Sequence, residues 1–367
     1  RLDHAGAVVF MVLLKGGGHD DVEGVVVDGA GDSYVAGFFT GSLDFGGENL
    51  DADAGEDGYV VKIGADAQVD WVTALKGAGD NRLLEVARFG DHVAVVGHFV
   101  GEAKFGEVVL NGAGAERVVV AALDTATGAV VWADEAGSES AEGGSRGRDL
   151  LAVAGDLVVV GDYSGASIEL GVGKLPLVGP RDVFYAAYDA SGAPLWASAM
   201  SGSGTAYGRE VAPGDGGMIL GARYTGALGV DGHVADESYD AALVSVGADQ
   251  SVAWSVAYAG DLNLEGLARA RQGAHLWVAD VDGESSIGGA AIVPDARDIV
   301  LVEIDAGGGH SSTVHITGPL AQDVEDVVVA GTCAAICGSF NGDMIRGGET
   351  LLSAGDDFDG FVLLRGI

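Results

Sequence analysis

The chain has 367 residues and a formal net charge of −36, with 55 acidic side chains against 19 basic ones. Nucleic acids and anionic membrane surfaces need a basic patch, so this charge argues against both as partners. Hydrophobic residues make up 48% of the sequence, which is enough for a sizeable core, and no run approaches the roughly 18 apolar residues that span a bilayer. An acidic balance of this size suits solubility, high salt or contact with divalent cations.

The sequence repeats a unit of about sixty residues, and residues 21–78 form its first full copy. A small residue closes an apolar segment once in every copy. These anchor positions are Gly37, Gly97, Gly161, Gly221, Ala279 and Gly338. A second recurring feature is a tryptophan after a short turn, found at Trp71, Trp132, Trp196 and Trp254. Self-similarity at a fixed period predicts a repeat architecture.

Each copy contains four segments with strand character, which in the first copy are 22–28, 33–39, 58–63 and 69–75. They are short, rich in valine and aromatic residues, and bounded by Gly, Asp and Asn turns. Helical periodicity is absent. Four short strands in each repeat are typical of a β-propeller blade. We therefore predict an all-β fold, a six-bladed β-propeller with four-stranded blades.

The two ends of the sequence look like the two parts of one copy. The C-terminal FDGFVLLRGI parallels DGYVVKIGAD, and the N-terminal AVVFMVLLKGG parallels QVDWVTALKGA, with Phe10 in the tryptophan place. We predict a ring closed by pairing of the N-terminal strand with the C-terminal blade, because a linear solenoid would need capping ends. The predicted single domain covers 1–367. Its blades lie at about 21–78, 83–137, 147–201, 208–259, 263–316 and 323–367 plus 1–16.

One acidic residue recurs at the start of the first strand in all six copies. The acidic ring so predicted consists of Glu23, Glu85, Asp149, Glu210, Glu265 and Glu325. A second set begins the third strand. It consists of Asp57, Glu116, Asp182, Asp240, Asp298 and Asp359. Strands one and three run in the same direction, so both sets are expected at one edge of each blade.

Two interpretations of these acids stay open. A carboxylate at a strand entry can accept backbone N–H groups or pair with an arginine across the blade interface, and so fasten the ring without any ligand. Alternatively, the ring binds a cation or a cationic partner. Like charges gathered there should raise some pKa values unless arginines or cations compensate.

The sharpest candidate metal site is the run from Asp51 to Gly58, in which Asp51, Asp53 and Asp57 alternate around a glycine turn. Carboxylate oxygens are the ligands that calcium prefers. The run departs from an EF-hand loop, since Gly55 takes one acidic place and Lys62 the place of the bidentate glutamate. Calcium is the one cofactor candidate, and a solvated acidic turn is the alternative.

No catalytic constellation is indicated, and we name no catalytic residue. The histidines form no H-x-x-x-H pair, and the G-x-S-x-G match at 143–147 lies in a connection between copies rather than in a strand–turn–helix. The repeated tryptophans are expected to pack between blades. Cys333 and Cys337 lie four apart on one predicted strand, about 13 Å from each other, and are expected to be free thiols.

The segments YVAGFFTGSLDFGG, AGEDGYVVKIGADAQVDW and LKGAGDN resemble bacterial β-propeller repeats of the seven-bladed-propeller-repeat (SBBP) type. Ala122 to Trp132 also matches the tryptophan-docking motif of quinoprotein propellers, and the copy with Asp189, Gly192 and Trp196 matches it in part. The resemblance implies an extracytoplasmic propeller module, periplasmic, secreted or surface-attached. In that family the docking motif packs blades together, so its presence does not imply a quinone cofactor.

These observations favour a non-enzymatic binding or scaffold module that presents an acidic, loop-rich face to a protein or cell-surface partner, with calcium as a candidate aid. The face would include the connections between strands two and three, at 41–56, 101–115, 165–181, 226–239 and 283–297. Loops on a rigid frame commonly carry binding sites. The alternatives are an enzyme of the lyase or glycoside hydrolase type and a carbohydrate-binding propeller. The module is expected to belong to a larger assembly.

Overall fold

The structure is a computed structural model that describes residues 7–138, 143–230, 234–235, 239–346, 349–352 and 358–366. In these residues the regular elements are β-strands, apart from one 3-10 turn at Arg271–Gly273. The chain divides into two compact units, 1–199 and 200–367. The all-β prediction is confirmed.

The strands of the first unit are numbered along the chain. They are β1 (Lys15–Gly16), β2 (Asp20–Val27), β3 (Ser33–Phe39), β4 (Ser42–Asp44), β5 (Asn49–Asp51), β6 (Asp57–Ile63), β7 (Val69–Gly77), β8 (Arg82–Phe89), β9 (His92–Phe105), β10 (Val108–Asp124), β11 (Val130–Ala136), β12 (Ser145–Val153), β13 (Asp156–Tyr163), β14 (Ser167–Glu169), β15 (Lys174–Pro176), β16 (Asp182–Tyr188) and β17 (Pro194–Met200).

The strands of the second unit continue the numbering. They are β18 (Ala206–Gly214), β19 (Gly217–Tyr224), β20 (Asp240–Gly247), β21 (Val252–Arg269), β22 (His275–Ile287), β23 (Ala290–Ile292), β24 (Asp298–Ile304), β25 (His310–Ile316), β26 (Gln322–Ala330), β27 (Cys333–Phe340), β28 (Asp343–Arg346), β29 (Glu349–Leu352) and β30 (Asp359–Gly366).

In the first unit each sequence repeat forms an antiparallel sheet of four strands. The sheets are β2-β3-β6-β7, β8-β9-β10-β11 and β12-β13-β16-β17. The end of β7 also pairs with the end of β9, where Leu75 lies opposite Phe105, and this joins the first two sheets. The predicted strands of the first copy agree with the observed ones to within two residues at each end.

The second unit repeats the pattern, with one strand shared between two repeats. β21 pairs with β20 through its first half and with β22 through its second half, and β22 continues to β24 and β25. The last repeat has three paired strands in the described residues, β26-β27-β30. The six-blade count therefore stays a prediction.

The connections between strands two and three are β-hairpins rather than open loops. β4–β5, β14–β15 and β28–β29 are separate hairpins, whereas β9 and β10 run on past the sheet and β22 pairs with β23. Alternating apolar residues explain these hairpins; in β9–β10, for example, Ala103 and Leu110 are buried opposite each other. The connection 226–239 lies partly outside the described residues.

Part of the N-terminal segment packs against the first repeat. Residues 9–14 form no strand, and β1 pairs with β4. Val12 and Leu14 pack against a buried cluster that includes Phe39 and Tyr59 of the first repeat. The structure therefore has no strand at Phe10, where the sequence predicted one. Closure of the ring stays a prediction.

The core lies between successive sheets. Buried residues of the first and second repeats form one cluster, and those of the second and third form another. In the second unit, clusters join the fourth repeat to the fifth and the fifth to the sixth. Burial of these valines, leucines and aromatics drives folding. Each repeat thus buries its apolar faces only by packing on its neighbours.

Cys333 and Cys337 both lie on β27 and are free thiols, as predicted. Burial, and then the nearby Asp326 and Glu325 carboxylates, raise the pKa of the Cys337 thiol to about 11. The thiolate is therefore scarce at neutral pH, so Cys337 is a weak nucleophile.

Candidate binding surface

Three of the four recurring tryptophans dock one sheet onto the next within a unit. The indole N–H of Trp71 donates to the carbonyl of Thr125 (3.2 Å), and that of Trp132 to Ala190 (3.3 Å). In the second unit Trp254 donates to Ala306 (3.0 Å). These residues serve packing, as the sequence predicted, and are not an open stacking platform.

Each docking turn is shaped by an aspartate and a glycine. Asp124 Oδ1 accepts hydrogen bonds from Thr127 Oγ1 (2.8 Å) and the Thr127 N–H (2.9 Å), and these bonds lower its pKa. Gly128 follows with φ +72°, and a Cβ there would lie 2.6 Å from the Trp71 ring. Glycine is required because it permits both the left-handed backbone and the close approach of the indole.

Every first strand carries a β-bulge opposite or next to its anchor position. The extra residue lies between Val22 and Gly24 in the first repeat. The other bulges have the same place. They lie at Leu83/Glu85, Gly147/Asp149, Gly208/Glu210, Leu264/Gly266 and Val324/Asp326. A bulge shifts the strand register and redirects the side chains next to it, so the first strand of each repeat has the same irregularity at this place.

The acidic ring residues occupy these bulges. Glu23, Glu265 and Glu325 are themselves the extra residues, whereas Glu85, Asp149 and Glu210 directly follow an extra residue. Glu23 and Glu325 are exposed, and the other four are half-buried. The six acids thus share a structural position to within one residue.

The bulge carboxylates also support the backbone. Glu85 Oε1 accepts the N–H of Val86 (2.8 Å) and Asp149 Oδ1 that of Leu150 (2.6 Å). Neighbouring bulges lie close together in the first unit, because a Cβ on Gly24 would approach Glu85 Oε1 to 2.7 Å. One carboxylate can therefore both hold its strand and face the next repeat.

The second acidic set sits at the start of strand three. Asp57 is fully buried and accepts hydrogen bonds from Asp53 N–H (2.9 Å), Gly77 N–H (3.1 Å) and Asn81 Nδ2 (3.0 Å). Burial raises its pKa, and these three bonds oppose the rise. Asp182 accepts the N–H of Val178 (2.7 Å), four residues earlier, as Asp57 accepts that of Asp53.

Asp298 and Asp240 have comparable roles. Asp298 Oδ2 lies 2.8 Å from His315 Nε2, and Asp240 Oδ1 accepts the N–H of Gly260 (3.0 Å). Register separates Glu116 from the rest of the set. Asp57, Asp182, Asp240, Asp298 and Asp359 lie opposite Phe39, Tyr163, Tyr224, Val281 and Phe340, whereas Glu116 lies opposite Val100, one residue after Phe99. Sequence comparison alone did not reveal this offset.

Ion pairs connect successive repeats near the same edge. Arg82 of the second repeat pairs with Glu56 of the first (Nη2–Oε1 2.8 Å), and Arg146 of the third pairs with Glu116 (Nε–Oε1 2.8 Å). In the second unit Arg209 pairs with Glu265. Each of the twelve repeated acidic residues makes at least one interaction within the protein. The three arginine pairs are contacts of the kind that the fastening interpretation predicts, and cation binding by the acidic ring stays a prediction.

A histidine lies inside the arginine-rich part of the first unit. His98 is buried, with Nε2 3.5 Å from Glu116 Oε1. Burial, followed by the positive charges of Arg146, Arg148 and Arg82, holds its pKa well below the usual value. The imidazole is therefore neutral at physiological pH.

Two buried aspartates escaped the sequence analysis because they follow the anchor in only two repeats. Asp162 is fully buried and pairs with Arg148 (Nε–Oδ2 3.0 Å) and Arg181. Asp280 accepts the N–H of Val324 in the next repeat (2.8 Å). Burial raises the Asp280 pKa to about 8.

The three acids of the predicted calcium loop have different surroundings. Asp51 lies in β5 and is exposed, Asp53 Oδ1 pairs with Lys76 Nζ (2.8 Å), and Asp57 is held by three N–H donors. No group of three His, Cys, Asp or Glu side chains in the described residues could hold a metal ion. The calcium site stays a prediction.

Three open grooves of about 530 to 570 Å³ occur in the first unit. One, near the calcium loop, is lined by Asp53, Lys76, Glu102 and Lys104 among others. Ser145 of the G-x-S-x-G match is fully buried, and its hydroxyl donates to the Ala136 carbonyl (3.1 Å). It is not an exposed nucleophile.

The fold and site define a repeat protein of antiparallel four-stranded sheets. No protein-family model matches the chain, and no curated protein matches it. In the described residues no helix is long and apolar enough to cross a bilayer.

Two solved structures with β-propeller-like folds are similar to the chain. One is a catalytically inactive virginiamycin B lyase from Staphylococcus aureus with quinupristin, at 10% identity and a TM-score of 0.45, covering 95% of this chain and 88% of that one. The other is a quinohemoprotein alcohol dehydrogenase from Comamonas testosteroni, at 14% identity and a TM-score of 0.42, covering 90% of this chain. The chain spans 54% of that dehydrogenase. Similarity at this level gives no information on activity or ligand.

Proposed function

We propose that the chain is a non-enzymatic binding module that presents its acidic bulge edge to a basic protein or surface partner. The acidic bulge edge is the set of acids at the β-bulges, Glu23, Glu85, Asp149, Glu210, Glu265 and Glu325. The observation that carries the proposal is the shared β-bulge, which holds one acidic residue of every repeat in the same structural position. A repeated charge on a rigid frame suits electrostatic recognition. Glu23 and Glu325 of this set are exposed, so a partner can reach them.

The architecture we propose is a six-bladed propeller whose ring is closed by the N-terminal strand. Val25 and Val362 support it. The four counterparts of Val25 with the same strand register, Val86, Leu150, Leu267 and Val327, are at most 8% exposed, but Val25 is 59% exposed. Val362 is 49% exposed, whereas its five counterparts are at most 4% exposed. Val25 and Val362 are apolar positions that the other repeats bury against a neighbouring sheet, so we expect a further sheet to cover them.

An extracytoplasmic location and membership of a larger assembly belong to the same proposal. Both rest on the resemblance to bacterial propeller repeats and on the charge of −36. Secretion of the full-length protein, followed by fractionation of the cells, would test the location.

Binding to a lysine decapeptide tests the function. We expect salt-dependent binding to the full chain, and at least tenfold weaker binding to the triple variant Glu23→Gln, Glu85→Gln, Asp149→Asn. The matched control is Glu48→Gln, Glu102→Gln, Glu107→Gln, which removes the same charge from exposed positions. Equal losses in both variants would show that net charge, not the bulge edge, binds the peptide.

Calcium is tested separately. Calorimetry with calcium, and melting with and without a chelator, would detect a site at Asp51 and Asp53. Ligand that binds only the folded state raises Tm. Unchanged Tm values would remove calcium from the proposal and leave the peptide result unaffected.

A further inference from the structure

A cluster of tyrosine and arginine side chains lies between the fourth and fifth repeats, within the second unit. We call Tyr207, Arg223, Tyr239, Asp261 and Asn263 the Tyr–Arg cluster. The Arg223 guanidinium carbon lies 4.0 Å from the centre of the Tyr239 ring, and the Tyr207 and Tyr239 rings are 6.1 Å apart. Arg223 Nη1 donates to Asn263 Oδ1 (3.2 Å), and Nη2 to Asp261 Oδ1 (3.4 Å).

The backbone fixes this arrangement. Tyr207 and Arg223 are cross-strand partners in β18 and β19. The N–H of Leu262 donates to the Tyr239 carbonyl (3.0 Å), and Asp261 and Asn263 flank Leu262 in the chain. Four of the five side chains therefore stand on strands of two adjacent repeats, and Tyr239 directly precedes β20. Strands are a rigid setting for a binding site.

Arg223 follows Ala222, which pairs with the residue just before the bulge, as Gly37, Gly97 and Gly161 do in the first three repeats. The equivalent residues of the other repeats are Phe38, His98, Asp162, Asp280 and Ser339. The Nε atom of Arg223 is buried and has no acceptor in the described residues. A buried donor without an acceptor is rare in folded proteins and points to a partner that these residues do not supply.

The charge at the cluster is balanced. Arg209 pairs with Glu265, whose carboxylate also accepts the amide of Asn263, and Arg223 pairs with Asp261 (3.4 Å). Two guanidinium groups thus face two carboxylates in a chain of net charge −36. The place is suited to a ligand that carries no charge of its own.

We propose that the Tyr–Arg cluster binds a neutral carbohydrate. Half-buried tyrosines offer an apolar ring face for the C–H side of a pyranose and a hydroxyl at its rim. The amide, carboxylate and guanidinium groups offer donors and acceptors for sugar hydroxyls. A few convergent polar groups beside aromatic rings are the composition of small-ligand sites. This site goes beyond the proposed function, since it does not use attraction between charges.

An array of neutral oligosaccharides, followed by calorimetry on those that bind, tests the proposal with the full chain. We expect at least one to bind, and at least tenfold weaker binding by Tyr239→Ala and by Arg223→Leu. The Tm of Arg223→Leu is measured beside its binding, and a value near that of the wild type shows that the variant folds. The matched control is Arg88→Leu, because Arg88 lies over the Tyr34 ring (5.7 Å) in the first unit, and it should bind like the wild type.

Two results would overturn the proposal: no neutral oligosaccharide binds, or Arg223→Leu and Tyr239→Ala bind as well as the wild type. If Tyr239→Ala fails to fold, Arg223→Leu alone decides. Lysine decapeptide binding is measured on the same variants and should be unchanged. Loss of oligosaccharide binding with unchanged decapeptide binding, or the reverse, therefore distinguishes failure of the carbohydrate site from failure of the acidic bulge edge.

Discussion

Arg297 and Asp323 form an ion pair (Nη1–Oδ1 2.5 Å) at the position where Glu56 pairs with Arg82, with the two charges exchanged. Glu56 and Arg297 each lie three residues before the partner of the anchor in their own repeat. Arg82 and Asp323 each lie one residue before the partner of the anchor in the next repeat. The position therefore accepts opposite charges in either order. That is the behaviour of a contact that fastens repeats.

Exchange of the first pair should be tolerated. Glu56→Arg or Arg82→Glu alone places like charges together, and each should destabilise the protein by about 1 kcal/mol, since the pair is partly exposed. The double variant should recover most of the loss. Chemical denaturation of the four proteins measures the coupling, and losses that simply add would contradict the fastening role.

The docking turn should tolerate no side chain. Gly128→Ala meets both a positive φ and the Trp71 ring, and we expect a loss of about 3 kcal/mol. Gly90→Ala is the control, because Gly90 has φ +61° with nothing within 4 Å of a Cβ, and it should cost about 1 kcal/mol. Thermal melts compare the two variants. Equal losses would show that backbone strain, not tryptophan docking, dominates.

The pKa of Asp280 predicts a pH dependence of stability. Burial raises the folded-state pKa to about 8, with Glu265 and Asp323 adding to the rise and the Val324 N–H and Arg297 opposing it. The folded protein then binds more protons than the unfolded chain between about pH 4 and 8. This group therefore makes stability fall as pH rises through that window.

Asp280→Asn should remove this dependence, because the amide oxygen can still accept the Val324 N–H and carries no charge. We expect a gain of about 2 kcal/mol at pH 9 and little change at pH 4. Melting curves across the pH range compare it with Glu107→Gln, an exposed control. A variant that tracks the wild type at every pH would show that Asp280 titrates normally.

Ring closure can be tested at the uncovered valines. If the first repeat is covered, Val25→Asp should cost about 3 kcal/mol, as Val86→Asp should. Val27→Asp is the control, because its counterpart is the partly exposed Arg88, and it should cost less than about 1 kcal/mol. A harmless Val25→Asp would argue for an open array.

Much of the fold was readable because local signals agreed. Val35 lies in the same strand as the anchor Gly37, and Tyr59 lies opposite Gly37 in the next strand; both belong to apolar segments typical of strands. The Trp71 and Gly128 positions recur with these segments. Such consistency across levels makes a fold predictable. The free thiols and the packing role of the tryptophans followed from the same register.

Other features depend on contacts that no single repeat encodes. The β-bulge adds one residue to a strand, which leaves the hydrophobic pattern almost unchanged, so its position at Glu23 was invisible in sequence. The pairing of Arg146 with Glu116 joins two repeats, and the buried Asp162 and Asp280 are exceptions to the pattern. Arg223 had no signal of its own, because polar residues such as His98 and Asp162 also occupy the equivalent positions of other repeats.

The hairpins between strands two and three leave the sheets from their second strands and return to the third, so their length does not set the register of either strand. Residues can be added to or removed from β4–β5 or β14–β15 while every anchor keeps its partners. A single deletion within a first strand, by contrast, would turn all later side chains of that strand to the opposite face. Sequence variation in this protein can therefore reshape what the hairpins display while the supporting frame stays intact, which makes them the natural place to graft new recognition segments.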